Sequence, residues 1–136
     1  MHVTRSAETR RTETPNAVMT TLASPTQGQS AQALWRVEMR PGQAGPLHGI
    51  DAEQVWTVLA GGASVEAGAD VAVLSPGDTI VLPADMARRI TADAAAGLVA
   101  IVAAPATMRA FRLDGSAADP QPAAADVGKM VPAWVA

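Results

Sequence analysis

Apolar and polar residues alternate along this chain in short runs that glycine and proline interrupt. In ALWRVEM (33–39), Leu34, Arg36 and Glu38 fall on one side, and Trp35, Val37 and Met39 on the other. A period of two predicts a β-strand with unlike faces. AVMTTLA (17–23) also fits a strand. RPGQAGP (40–46) ends the alternating run with turn chemistry. Further on, QVWTVLAGG, ASVEAG, ADVAVLSPGD, TIVLPAD and ARRITAD each read as a strand or a strand with its turn. GLVAIVA (97–103) is continuously apolar and predicts a buried strand, and TMRAFRLDG (107–115) supplies one more. Strands recurring at about 8–12 residues with turns between them are the pattern of an all-β sandwich or barrel. No βαβ unit, P-loop, heptad or internal repeat interrupts it.

The length of 136 residues argues for one domain. Residues 1–16 read as a flexible polar lead-in, residues 17–114 as a single barrel, and residues 115–136 as a tail. The tail begins Ala/Pro-rich and ends in KMVPAWVA, whose Trp134, Met130 and Val131 predict docking on the barrel or on a partner subunit. Hydrophobic residues make up 49% and charged residues 17%, the balance of a folding chain. The net charge of −3 and the lack of a basic patch argue against a nucleic-acid partner. The absence of cysteine excludes disulfides, thiolate metal sites and cysteine nucleophiles. No apolar run reaches the roughly 18 residues of a membrane helix. MHVTRSAETRRTETPN lacks the apolar core of a secretory signal. The expectation is a soluble, cytoplasmic protein with no membrane partner, and the Ala, Gly and Pro content suggests a GC-rich bacterial genome.

One stretch carries more information: GPLHGIDAEQVWTVLAGG, residues 45–62. Together with Gly42 it places Gly42, His48, Ile50, Gln54 and Gly61 at the spacing of the first motif of the cupin superfamily. SPGDTIVLPADMARRI, with its PGD and LPA turns, resembles the second motif, and Arg88 falls where that motif has a histidine. The resemblance covers roughly Trp35 to Leu113 and implies a cupin-type jelly-roll β-barrel. Cupin metal sites use three imidazoles and one carboxylate. Carried over, those positions are His48, Ile50, Gln54 and Arg88, and only His48 retains a ligand. Ile50 has no donor atom, Gln54 offers a neutral amide, and Arg88 repels a cation. Glu53 would enter the site only by a one-residue slip that turns every side chain of the strand to the other face. The resemblance therefore implies a cupin with degenerate metal motifs, no metal and no cofactor.

Alternation puts Gln54, Trp56 and Val58 on the inward face of one strand and Arg88 and Ile90 on that of another, with His48 and Ile50 at the entry to the first turn. The expected pocket is mostly apolar with a few convergent polar groups and takes a small organic molecule. The candidate catalytic residues are His48 as base, Gln54 as its orienting partner and Arg88 as the group that holds a carboxylate, phenolate or enolate. Ile50, Trp56, Val58, Ile90 and Glu38 are the candidate substrate-binding residues, and Glu38 or Glu53 is the candidate ion-pair partner of Arg88. Arg89 is expected to face solvent, the turn with Asp51 and Glu53 to be solvated, and Trp35 and Phe111 to be core or interface residues. A chain with no Tyr and one Phe favours a compact apolar or aromatic ligand over a sugar. Three functions fit. The first is a metal-independent isomerase, lyase or cyclase working by proton transfer. The second is a non-catalytic small-molecule sensor or carrier. The third is a metal-dependent cupin dioxygenase or isomerase. Jelly-roll edge strands need cover, so a homodimer is expected, built through the C-terminal segment and the strand near Ala17–Ala23.

Overall fold

The computed structural model describes residues 1–113 and 128–136. Residues 114–127, which hold the Ala/Pro-rich part of the tail, lie outside the described residues. A short 3-10 turn at Ser6–Glu8 precedes β1 (Arg10–Glu13), β2 (Val18–Ala23), β3 (Gln32–Met39) and β4 (His48–Ile50). β5 (Gln54–Gly61), β6 (Ala63–Ala67), β7 (Asp70–Leu74) and β8 (Thr79–Leu82) follow. β9 (Arg88–Ala92), β10 (Leu98–Pro105) and β11 (Ala110–Arg112) complete the set.

These strands form two antiparallel sheets. The six-stranded sheet has the order β1-β2-β3-β10-β5-β8, and the five-stranded sheet the order β11-β4-β9-β6-β7. Consecutive strands β4 and β5 lie in different sheets, as do β7 and β8, which is how a jelly roll wraps two sheets around one core. The Pro76-Gly77-Asp78 turn makes the crossing from β7 to β8. Asp78 holds it by accepting a hydrogen bond from the Ser75 amide through Oδ2, while Gly77 N donates to Val58 O at 2.8 Å.

The core is the inward set of each alternating strand. β3 contributes Trp35, Val37 and Met39, β5 contributes Val58, β9 contributes Ile90 and Ala92, and β10 contributes Leu98, Ala100, Val102 and Ala104. Gly61 ends β5 with φ +70, a left-handed conformation, and a Cβ there would collide with the Gly97 carbonyl. Glycine at this motif position is thus required twice, by backbone conformation and by close chain approach.

The N-terminal stretch expected to be a flexible lead-in contains β1, which pairs with β2 from Arg10↔Thr21 to Glu13↔Val18. At the other end, Gly128–Ala136 forms a strap across the open side of the barrel. It bridges β11 through reciprocal Ala110–Met130 backbone bonds of 2.8 and 3.0 Å. It then reaches the opposite sheet, where Thr21 Oγ1 donates to Trp134 O and where Thr26 Oγ1 and Arg10 Nη2 donate to Ala136 O. Val135 is fully buried beneath it. Among the described residues no helix is long and apolar enough to cross a membrane.

Candidate functional site

The four positions that resemble a metal site come together as strand alternation requires. Ile50, Gln54 and Arg88 are buried, and His48 is half-buried. β4 meets β9 at the pair His48↔Arg88, so these two side chains share the inward face of the five-stranded sheet.

Arg88 has no exposed surface at all. Its guanidinium is held by three oxygens: Nη2 donates to Pro83 O at 2.6 Å, Nε to Met86 O at 3.0 Å, and Nη1 to Gln54 Oε1 at 3.4 Å. None of these is a carboxylate. Burial pulls the Arg88 pKa down to about 10, opposed in part by the charge of Asp85, so the group remains a cation at neutral pH. The expected ion pair with Glu38 or Glu53 does not form. Glu38 points to the outer face of β3, where it pairs with Arg36 at 2.9 Å, and Glu53 is exposed on the turn. Glu38 therefore does not face the barrel interior; on β3 only the odd-numbered side chains face inward.

Gln54 is occupied from both ends. Its Oε1 accepts from Trp56 Nε1 at 3.2 Å as well as from Arg88, and its Nε2 points to Met108 Sδ at 3.5 Å. No hydrogen bond joins Gln54 to His48, contrary to the expected orienting role. Instead His48 Nδ1 lies 2.8 Å from Pro46 O. A carbonyl oxygen only accepts, so Nδ1 carries the proton and Nε2 keeps the lone pair of the neutral ring. Burial is the main cause that lowers the His48 pKa; the Pro46 bond works against it and the Arg88 charge adds to it.

One residue was not singled out by the sequence pattern. β11 pairs with β4 so that Arg112 lies opposite His48, on the strand flank away from Arg88. Arg112, His48 and Arg88 thus form one row across three neighbouring strands, on one face. Arg112 is exposed, and no carboxylate among the described residues pairs with it. A second correction concerns Asp51. Its turn is not simply solvated: Oδ2 accepts from Arg109 Nε at 2.9 Å, and Oδ1 accepts from the Arg109 amide. Next to it, the Phe111 ring lies over Gly49, where any Cβ would collide with it. Both contacts fix β11 against β4 and so set the row's register.

The donor chemistry does not fit a divalent cation. One imidazole remains, a hydrocarbon replaces the second ligand, the amide oxygen is already shared by two donors, and a guanidinium fills the fourth position. Among the described residues no group of three or more His, Asp or Glu side chains is arranged to hold a metal ion. Two surface clefts lie away from these four positions: one of about 150 Å³ between Pro15, Asn16, Glu38 and Gln43, and one beside Pro25 and Ala106. Ile50, Val58 and Ile90 are packed core, and Trp56 is half-buried beside them.

Neither a family sequence model nor a curated protein matches the chain. Solved structures do. A cupin 2 domain-containing protein from Halorhodospira halophila superposes with a TM-score of 0.69 at 25% identity, over 76% of this chain and 74% of that one. An RmlC-like cupin from Shewanella frigidimarina gives 0.65 at 17% identity, over 77% and 91%. Oxalate decarboxylase from Bacillus subtilis gives 0.66 at 14% identity, and the match covers 73% of this chain but 28% of that enzyme. The motif spacing, the two-sheet order and these likenesses converge on one fold, the jelly-roll barrel of the cupin superfamily.

Proposed function

We propose that this cupin takes a small organic anion at the barrel mouth without a metal, and that His48 accepts a proton from it. The observation that carries the reading is the row Arg112–His48–Arg88. In strand register an arginine stands on either side of one histidine, and among the described residues neither arginine makes a carboxylate ion pair. Such a row has a net positive charge to offer, and a carboxylate or enolate answers it. Arg112 is the solvent-facing arm that meets the anion. Arg88 supplies fixed charge from behind, locked by Pro83, Met86 and Gln54. His48 contributes the lone pair on Nε2, and its lowered pKa keeps that lone pair available at neutral pH. The step is abstraction of a proton from carbon next to the anion's carbonyl, with the resulting enolate charge held by Arg112. The second reading, binding without turnover, is favoured by the Gln54–Trp56–Arg88 interlock, which spends the site's other polar groups on the barrel itself.

The test uses pyruvate and benzoate as probes, with the His48 ring protons followed by NMR. A saturable shift is expected with both. Arg112→Ala should weaken binding by about tenfold, the effect of one charge-assisted hydrogen bond. Deuterium exchange into the pyruvate methyl group should be accelerated by the parent and lost in His48→Gln, while benzoate still binds. Binding without exchange supports the sensor reading, and no shift with any anion removes both.

A further inference from the structure

We infer that the cleft beside the β1–β2 turn is a binding site for a small zwitterion, an α-amino acid with a short apolar side chain. The inference is independent of the row at the barrel mouth. The cleft lies where the β1–β2 turn meets the end of β3 and the loop that follows, and its volume is about 150 Å³. Sites for drug-sized ligands run to roughly 300–1,000 Å³, so this one takes a smaller molecule. Its walls are fixed by the chain's own hydrogen bonds. Thr14 Oγ1 accepts from the Asn16 and Ala17 amides at 3.3 and 3.1 Å, and the Thr14 amide donates to Ala17 O at 2.9 Å. Gln43 Nε2 donates to Pro15 O at 3.3 Å and so ties the loop after β3 to the turn. Walls held in this way spare the entropy of ordering them on binding.

The polar groups left over in the cleft indicate what fills it. Arg40 lines it, and among the described residues its guanidinium makes no ion pair or hydrogen bond. Asn16 is half-buried with its side-chain amide unbonded among the described residues, and Gln43 keeps Oε1 free. The other charges are Glu13 and Glu38, which register sets on either side of Val18. Each uses one oxygen, Oε1, on an arginine of its own strand, Arg11 at 3.1 Å and Arg36 at 2.9 Å, and keeps Oε2. Those two arginines do not line the cleft. The cleft therefore presents one unpaired cation beside carboxylate and amide oxygens. A bare anion answers Arg40 but faces two glutamates. A bare amine answers the glutamates but faces Arg40. A molecule that carries both charges close together answers both. Its carboxylate takes the Arg40 fork and the Asn16 amide, and its ammonium donates to Glu38 Oε2 and Gln43 Oε1. Pro15 and Val18 supply the apolar part of the lining, which suits a methyl or a similarly short side chain.

Titration of the full chain with alanine, propionate and ethylamine tests this. The last two are alanine without its amine and alanine without its carboxylate. The readouts are the NMR shifts of the Asn16 side-chain amide and the Arg40 Nε proton. Alanine is expected to move both saturably, and each single-charge analogue to bind about tenfold more weakly, the effect of one charge-assisted hydrogen bond. Arg40→Gln should weaken alanine about tenfold, read at Asn16. Glu38→Gln should weaken alanine to a similar degree and propionate not at all, so that the preference for the zwitterion disappears. Arg112→Ala, at the barrel mouth, should leave the alanine shifts intact. Arg40 is exposed and Glu38 half-exposed, and unfolding midpoints measured in parallel show that each variant is folded. No shift with alanine overturns the proposal. So does propionate binding as tightly as alanine, or alanine binding that is indifferent to Arg40→Gln and Glu38→Gln. Loss of the shifts in Arg112→Ala would move the site to the barrel mouth and overturn it as well.

Discussion

The proton on His48 sits on Nδ1 because Pro46 presents only a carbonyl oxygen, 2.8 Å away. That one contact decides which nitrogen can act as base, and burial decides when. The folded-state pKa is lowered from 6.5, so the unfolded chain binds the proton first as pH falls. Stability is therefore full above the ordinary value of 6.5, declines as pH drops below it toward the folded pKa, and levels off beneath that. The expected outcome is a urea midpoint that falls between neutral and mildly acidic pH, with a shallower fall in His48→Gln. Identical profiles for the two proteins would show that His48 titrates as if in water. At this scale the sequence was informative about direction and silent about partners. Alternation alone turned Gln54, Val58, Arg88 and Ile90 inward, because a strand's period admits no other choice. It could not show that Arg88 would be satisfied by the carbonyls of Pro83 and Met86. Glu38 was named for the pocket against that same alternation, which on β3 sends it outward. Arg112 went unnoticed because its neighbour across the sheet is set by the pairing of β11 with β4, a long-range choice that no local pattern encodes.

Strands with one apolar face were legible as elements. β3 and β5 appear where their period of two put them, and β10 where its apolar run did. β1 was not, since Arg-Arg-Thr-Glu on a sheet edge has no buried face to announce it. The C-terminal strap is the intermediate case. Its apolar residues predicted docking, but its anchors, Ala110 on one sheet and Thr21, Thr26 and Arg10 on the other, come from distant sequence. Those anchors make the strap a brace between the two sheets, in addition to their packed interiors and the Arg88–Gln54 bond. Val135 has no exposed surface. Shortening it in Val135→Ala should cost about 1–3 kcal/mol by urea unfolding, the range for removing buried methyl groups. Val135→Asp should release the strap, because a carboxylate has no partner there. Hydrogen exchange would then show lost protection at the Met130 amide, with β10 amides still protected at low denaturant. An unchanged midpoint in Val135→Ala would mean that the strap lies on the barrel without bracing it.

For the molecule as a whole, the question is whether folding is linked to a cation. In a barrel whose ligands converge on a metal, the ion binds the native state alone, and its affinity becomes stability. Here the equivalent positions are bonded to the barrel itself: Arg88 joins the loop carbonyls of Pro83 and Met86 to Gln54, and Gln54 joins Trp56. The network holds β5, β9 and the turn before β9 together, the task a central ion would otherwise share. The untagged parent is therefore expected to unfold at the same temperature with chelator or with added Zn²⁺, Mn²⁺ or Ni²⁺. The variant Ile50→His, Gln54→Glu, Arg88→His should behave in the opposite way. Without metal it loses the guanidinium bonds and unfolds earlier. With a thousandfold excess of cation over Kd it gains about 4 kcal/mol, roughly 14 °C in midpoint for a chain of this size. Gain in the variant with indifference in the parent would tie the fold's ligand geometry to these four positions and assign the loss of metal linkage to three side chains. A parent that holds one cation per chain would place its donors outside this row, and the barrel's charge balance would have to be rebuilt around that ion.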